Sequence, residues 1–573
     1  MTEVLWRGGD VQRVCQFGLL IVIVGFAVEG SSAFGQSRRD AESRDGMVVA
    51  VSPDAAAVGA EILERGGTAV DSAIATAFAL AVTHPSAGNL GGGGFMLVHP
   101  GDGSPPLMID YREKAPLAAE REMFVDNNDT HTHPYVGVPG TVRGMKLAHE
   151  LYGSLAWTSL VTPAVALARD GFEIHAGLAA ELNRELGRST NDEFRRVYGK
   201  PDGTDWAAGD RLVLSDLAAT LQRIAADGPN GFYAGTTADL IAAEMKAGGG
   251  LISTEDLLRY RARVRQPIRC RFRDYEVLCP PPPSSGGITL TQMLGIAAQF
   301  DLRRSGRWSV KTNHVMIEAM RRAYANRAMY LGDPDFVEIP KHLASADFAK
   351  YMASTIDLER ATPSRLLGPP LTEPDESLET THFSVIDRHG MAVSNTYTLE
   401  ASYGSGIVVR GAGFLLNNEM GDFNRRPGVT DTKGSIGTAA NEVRPQKRML
   451  SSMTPTIVLK NGQPYLITGS PGGRTIINTV FCVTLNVLEF GMSAREAVDA
   501  PRTDHEWFPN RVRFMGADDP KYAALVEQLR ELGHDIQDTD RQGDANTILI
   551  SGGSFIGAAD YRFGAAIAPD SKP

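Results

Sequence analysis

The segment Glu379-Thr380-Thr381-His382-Phe383-Ser384-Val385-Ile386-Asp387 sets two adjacent threonines at the start of an alternating strand, two thirds of the way along a 573-residue chain. A threonine hydroxyl is a weak nucleophile at its ordinary pKa, and one way to activate it is the α-amino group of the same residue. That amine exists only once the bond before the threonine is cut. Residue types that complement such a nucleophile lie downstream: Thr398 on the partner strand, the acidic loop Glu419-Met420-Gly421-Asp422, the pair Ser451-Ser452 and the pair Gly472-Gly473. Carboxylates hold an ammonium, hydroxyls and a guanidinium hold a carboxylate, and successive amides of a Gly-Gly turn hold an oxyanion. Taken singly, each also has an ordinary reading as a turn, cap or strand residue.

Other chemistries fit poorly. The run Gly91-Gly92-Gly93-Gly94 follows a helix and lacks the Gly-Lys-Ser/Thr pair of a phosphate loop, so it reads as a place where backbone passes close to backbone or ligand. Gly404-Ser405-Gly406 and Gly469-Ser470-Pro471-Gly472 both miss the Gly-x-Ser-x-Gly spacing of a serine-hydrolase elbow. The histidines are scattered, and His131-Thr132-His133 lacks a ligand spacing, so no metal site is expected. No organic cofactor is needed either, because acyl transfer requires only a nucleophile, proton transfer and backbone donors. The net charge of −11 comes with no basic run interleaved with aromatics, which excludes nucleic acid as an expected partner.

At the N-terminus Arg7 and Arg13 precede the apolar run Phe17 to Val28 and the small residues Gly30-Ser31-Ser32-Ala33, the pattern of an export signal cut after Ala33. About twelve apolar residues fall short of the roughly 20 that span a bilayer. Residues 1–33 are therefore read as a signal peptide and 34–46 as a linker, with the mature protein periplasmic or secreted and off the membrane. Cys15 leaves with the signal. Cys270 and Cys279 flank a hairpin expected to turn near Asp274-Tyr275, which sets them facing each other, either as a bridge or as two plain thiols. Cys482 reads as core.

The elements that must position these residues follow from periodicity. Helical rhythm runs over 55–64, 68–83, 141–151, 160–169, 214–226, 238–247, 290–300 and 310–330. A polar stretch with Pro363, Pro369, Pro370 and Pro374 then intervenes. Beyond it come hairpins: 383–386 with 392–399 around Arg388-His389-Gly390, 456–459 with 465–468 around Asn461-Gly462, and a closing one over 547–559. Helices return at 475–490, 494–499 and 521–532. Antiparallel strands with helices outside make an α+β layered sandwich.

From about Met47 onward the chain resembles the γ-glutamyltransferase (γ-glutamyltranspeptidase) family, bacterial type. The resemblance rests, in the family's order, on Asn89-Leu90-Gly91-Gly92-Gly93-Gly94-Phe95, Asp110-Tyr111-Arg112-Glu113, Val138-Pro139-Gly140-Thr141, Pro281-Pro282-Pro283-Ser284-Ser285-Gly286-Gly287, Thr380-Thr381-His382, Leu416-Asn417-Asn418-Glu419-Met420, Leu450-Ser451-Ser452-Met453 and Gly469-Ser470-Pro471-Gly472-Gly473. It implies a four-layer αββα sandwich of the N-terminal-nucleophile hydrolase type, and a precursor that cuts itself before Thr380 into a large subunit (47–379, after the linker) and a small one (380–573). The two stay together as a heterodimer.

By the same resemblance Thr380 attacks the γ-carbonyl of glutathione or another γ-glutamyl donor, with its own amine as base. Thr398 orients the hydroxyl, and Gly472 and Gly473 form the oxyanion hole. Arg112, Ser451 and Ser452 take the donor's α-carboxylate, while Glu400, Glu419 and Asp422 take its α-ammonium. The glutamyl group passes to water, an amino acid or a dipeptide. Lys433 falls where many bacterial members carry a gating tyrosine in a lid loop, here 427–441, so an open site is expected.

Two rival readings remain. A β-lactam side-chain acylase (glutaryl or cephalosporin type) shares the scaffold but takes donors without an α-ammonium, which would leave Glu419 and Asp422 as buried unpaired carboxylates. A non-catalytic exported binding protein would not need Thr380, Thr398 and the glycine pair together.

Overall fold

Asp387 closes the hairpin that begins at the two threonines. Its Oδ1 accepts the amides of His389 and Met391 at 2.9 and 3.1 Å, and Gly390 takes the left-handed φ of 83° that the tight turn needs. Its Oδ2 accepts the amide of Ala69 at 2.9 Å, which docks the first turn of helix Ala69–Thr83 onto the hairpin end. The computed structural model describes residues 39–369, 380–562 and 566–569. The signal-peptide reading, Pro370 and Pro374 of the polar stretch, and Glu379 lie outside the described residues.

The hairpin pairs Thr381–Asp387 with Ala392–Thr398 in the register Thr381↔Tyr397 to Ile386↔Ala392. It sits at the centre of a seven-stranded antiparallel sheet ordered 566–569, 46–50, 381–387, 392–398, 93–99, 107–110 and 263–265. A second seven-stranded antiparallel sheet is ordered 40–43, 554–558, 547–551, 463–468, 456–460, 275–279 and 268–272. The mixture of helices with antiparallel sheets is the expected α+β class.

One face of the first sheet, through Val48, Met96, Val98, Phe383 and Val385, packs against helices Pro53–Glu64 and Ala69–Thr83. The second of these is buried along its whole length. Alanine at six of its fifteen positions lets the helix approach the sheet closely while costing little helix propensity. The opposite face, through Met47, Val49, Leu97 and Ile386, shares a core with Ile457, Val458, Leu466 and Ile467 of the second sheet and with helices Gly286–Ala297, Val310–Tyr330 and Thr475–Leu488.

Part of the contact between the sheets is polar. Ser394 Oγ donates to the Thr468 carbonyl at 3.0 Å, Ser384 Oγ to the Asn546 carbonyl at 2.8 Å, and Asn546 Nδ2 to the His382 carbonyl at 3.0 Å. His382 lies in this layer, bonded to Thr396 Oγ1 at 2.8 Å, and burial pushes its pKa down to about 3, so the ring is neutral.

The cysteine hairpin turns one residue earlier than its sequence suggests. Arg273, at a φ of 53°, and Asp274 form the turn, so Cys270 pairs with Val277 and Cys279 with Ile268. The two cysteines are diagonal neighbours rather than opposite partners, and both are free thiols, as is Cys482. A one-residue change at a turn moves every pair by two positions.

Candidate active site

Thr380 directly precedes the strand Thr381–Asp387, and Thr398 ends its partner, so antiparallel pairing brings both threonines to one end of the sheet. Both are buried. The glycine run explains how the backbone around them fits. A Cβ on Gly92 would lie 2.0 Å from the Thr398 carbonyl oxygen, and one on Gly94 would lie 2.4 Å from that of Thr396. Asn89 completes the support, donating from Nδ2 to the Thr398 carbonyl at 2.9 Å and accepting the Gly92 amide at 3.0 Å. Beyond Thr398 the chain turns through Glu400, a non-glycine residue at a φ of 81°, whose amide donates to Thr398 Oγ1 at 2.9 Å. Such a backbone is costly outside glycine and persists only where its surroundings fix it.

The acidic loop is a single 3₁₀ turn, Glu419–Asp422. Asn417 anchors it by donating to the carbonyls of Gly91 (2.6 Å) and Gly137 (2.8 Å) while accepting the amides of Gly137 and Glu419. Facing it is Arg112, wholly buried, whose guanidinium forms ion pairs with Glu113 at 3.3 Å and with Glu419 and Asp422. The same guanidinium donates to the Leu450 carbonyl at 3.2 Å, so the base of the acidic cluster touches the segment that carries Ser451 and Ser452. Asn441 bridges the two, donating to the Asp422 carbonyl at 2.6 Å and accepting the Leu450 amide at 2.9 Å.

One guanidinium thus serves three carboxylates, of which Glu113 and Glu419 are wholly buried while Asp422 is partly open to solvent. Burial pushes the Glu113 carboxyl up to about 7 against the pull of Arg112, and pushes that of Glu419 well above its ordinary range. Beyond the Arg112 guanidinium, neither oxygen of Glu419 meets a hydrogen-bond donor among the described residues.

Ser451 and Ser452 are buried in the segment that crosses Ser284 and Ser285, where Ser451 donates its amide to the Pro283 carbonyl at 2.9 Å. Gly472 and Gly473 connect the strand Gln463–Thr468 to helix Thr475–Leu488 with φ values of 127° and 54°. Both lie in the left-handed region that favours glycine, and Thr475 Oγ1 donates back to the Gly472 carbonyl at 2.8 Å.

Nine of the ten residues expected from sequence line one cleft: Arg112, Thr380, Thr398, Glu400, Glu419, Asp422, Ser451, Ser452 and Gly473. Gly472 is next to it in the turn. Sequence reasoning missed Arg327, Asn424, Asn441 and Arg474, which also line it. Arg474 had a usable signal, since it follows the glycine pair directly, whereas Arg327 sits on a long helix with nothing local to mark it. The 427–441 loop contributes Ile436, Thr438 and Asn441 to the lining of the cleft. Lys433 is exposed, in a turn where Asp431 Oδ1 accepts the amides of residues 433, 434 and 435 at 2.8 to 2.9 Å. Among the described residues no group of His, Cys, Asp and Glu could hold a metal ion, and no helix is long and apolar enough to cross a membrane.

The Gamma-glutamyltranspeptidase family profile matches residues 55–569. The chain belongs to the gamma-glutamyltranspeptidase family. It is 44% identical over 531 residues to the glutathione hydrolase proenzyme of Escherichia coli (strain K12), covering 91% of each chain. Among solved structures it superposes on cephalosporin acylase from Bacillus halodurans with a TM-score of 0.82 at 27% identity, covering 94% of this chain and 98% of that one. Helicobacter pylori gamma-glutamyltranspeptidase matches with a TM-score of 0.54 at 39% identity, covering 57% of this chain and 96% of that one. The gamma-glutamyltranspeptidase assignment thus agrees with a cleft built from a threonine pair, a carboxylate cluster and a glycine turn.

Proposed function

We propose that the protein is a self-processing γ-glutamyltransferase and glutathione hydrolase whose nucleophile is Thr380. Cleavage before Thr380 gives the subunits 47–379 and 380–573 and frees the amine. Thr380 Oγ then adds to the γ-carbonyl of the donor while its proton moves to that amine, and Thr398 orients the hydroxyl. The amides of Gly472 and Gly473 hold the resulting oxyanion. Collapse breaks the C–N bond, the amine returns its proton to the leaving group, and the γ-glutamyl group stays on Thr380 as an ester. Water or an acceptor amine attacks the ester next, giving up a proton to the same amine, which passes it to Thr380 Oγ as the ester C–O bond breaks and glutamate or a new γ-glutamyl amide leaves. Amino acids and dipeptides are the acceptor class. No step needs a metal or an organic cofactor.

The observation that carries this reading is the buried Glu419 carboxylate, which among the described residues meets no hydrogen-bond donor beyond the Arg112 guanidinium and shares that guanidinium with Glu113 and Asp422. A buried excess of carboxylates is costly unless a cation joins it, and the donor's α-ammonium is such a cation. Arg112, Ser451 and Ser452 then face its α-carboxylate, with Glu400 adding to the ammonium side. An acylase donor without the ammonium would leave this charge uncompensated, which counts against that alternative despite the likeness to cephalosporin acylase.

The four-layer αββα arrangement is supported by two facing sheets with helices in both cores. Export to the periplasm or medium is supported by Arg7, Arg13 and the apolar run Phe17 to Val28.

The test is direct. Purified protein should yield two fragments, one with the N-terminal sequence Thr380-Thr381-His382, and should release nitroaniline from γ-glutamyl-p-nitroanilide, faster with glycylglycine. Thr380→Ala should stay whole and inactive. An uncut, inactive wild type, or preference for a glutaryl amide over the γ-glutamyl one, would overturn the proposal.

A further inference from the structure

The two serine hydroxyls at the cleft each have one proton and two lone pairs, so what they offer a ligand depends on what the protein uses. Ser451 Oγ accepts the Met453 amide at 3.1 Å. Ser452 Oγ accepts Nη2 of Arg327 at 3.0 Å, and a guanidinium can only donate. Each serine therefore spends a lone pair inside the protein and keeps its proton for the cleft.

Arg327 reaches the other serine as well. Its Nε donates to Ser285 Oγ at 2.9 Å, and Ser285 donates onward to the Ser451 carbonyl from its hydroxyl at 2.6 Å and from its amide at 2.7 Å. One planar fork holds Ser452 directly and Ser451 through Ser285. A lysine ammonium, a single point charge on a flexible stem, cannot reproduce two fixed donor directions. Arg327 belongs to helix Val310–Tyr330 and the serines to a loop 125 residues later, so a rigid element sets the loop's position.

We infer that Arg327 is a positioning residue for the donor's carboxylate: it fixes the Ser451-Ser452 segment so that both hydroxyls donate towards the site beside Arg112. The inference rests on the reading of the cleft as a γ-glutamyl donor site.

Kinetics with γ-glutamyl-p-nitroanilide on wild type, Arg327→Met, Arg327→Lys, Ser452→Ala and Arg327→Met/Ser452→Ala test it. Arg327→Met should raise KM about tenfold with kcat within about threefold, the pattern of lost ground-state binding. Arg327→Lys should recover only part of that loss. In the Ser452→Ala background, Arg327→Met should raise KM no more than about threefold, because coupled residues are non-additive. An unchanged KM in Arg327→Met, or the same tenfold rise without Ser452, would overturn the inference. Should Arg327→Met fail to fold, Ser285→Ala cuts the Nε link without touching charge; it should raise KM about threefold, a rise set by the loss of one hydrogen bond, and an unchanged KM there is equally decisive. A wild type that processes itself but leaves the donor untouched would refute the donor reading instead.

Discussion

Arg474 donates from Nη1 to the Gly434 carbonyl at 2.8 Å, so the residue that follows the Gly472-Gly473 turn also holds the loop that lines the cleft. Its Nη2 donates to the Phe508 carbonyl at 3.0 Å and its Nε pairs with Glu506 at 2.9 Å. Losing a hydrogen bond from a charged group costs about 1.5–3 kcal/mol. Arg474→Met should therefore lower kcat/KM roughly tenfold or more and speed limited proteolysis within 427–441. Wild-type values for both measurements would show that the tie is dispensable.

Gly472→Ala meets two obstacles. The φ of 127° is strained for alanine, and the new Cβ would lie 2.6 Å from Thr475 Oγ1. Relief requires rotating the turn, which moves the amides assigned to the oxyanion. The expected result is a fall in kcat of about 10²–10³ with KM little changed, the cost of one lost oxyanion donor. Steady-state kinetics on processed enzyme read it out.

Glu113 makes donor binding depend on pH. Its carboxyl, raised by burial from an ordinary 4.5 to about 7, faces Arg112, Glu419 and Asp422. Between those two values the folded protein holds a proton that the unfolded chain has released, so this group's contribution to stability is present below pH 4.5 and lost as pH rises to 7. Donor binding has the opposite sign, because an ammonium needs the ionised cluster. The kcat/KM profile should fall on the acid side of about pH 7, approaching tenfold per pH unit for one proton. Glu113→Gln should remove this group's share of that limb and leave the share set by the Thr380 amine that acts as base, and a limb unchanged in the variant would assign it elsewhere.

Reductant should leave the melting temperature unchanged, since Cys270 and Cys279 are free and diagonal to each other. Removing a native disulfide typically costs 2–5 kcal/mol, a loss that a thermal melt resolves easily. Thiol titration of the denatured mature protein should count Cys270, Cys279 and Cys482, and a count of one would establish the bridge.

The central hairpin was legible because alternation on both sides of Arg388-His389-Gly390 leaves one pairing. Helix Val310–Tyr330 was legible at both ends because its apolar rhythm begins just after the capping residue Ser309. The strand Gly93–His99 was not, because glycines at its start read as loop. Their reason is tertiary: carbonyl oxygens of Thr396, Thr398 and Tyr111 occupy the space a side chain would take. The site divides the same way. Thr380, Thr398, Glu419, Asp422 and the serine and glycine pairs form a chemically complementary set in sequence, and the family resemblance adds Arg112 and Glu400. Arg327 and Asn441 carry no local mark, since their partners come from distant parts of the chain or across a loop.

Thr380 and Thr398 stand at the end of one sheet, while Gly472 and Gly473 leave a strand of the other. The separation between attacking oxygen and stabilising amides is therefore a lateral offset between two sheets. Apolar contact is non-directional and by itself would let the sheets slide a little. The bonds from Ser394 to Thr468, Ser384 to Asn546 and Asn546 to His382 fix that offset in a way methyl groups cannot. A displacement of 1 Å can cost about 10²-fold in rate, so buried hydroxyls and amides well below the cleft set the tolerance to which the reaction is machined.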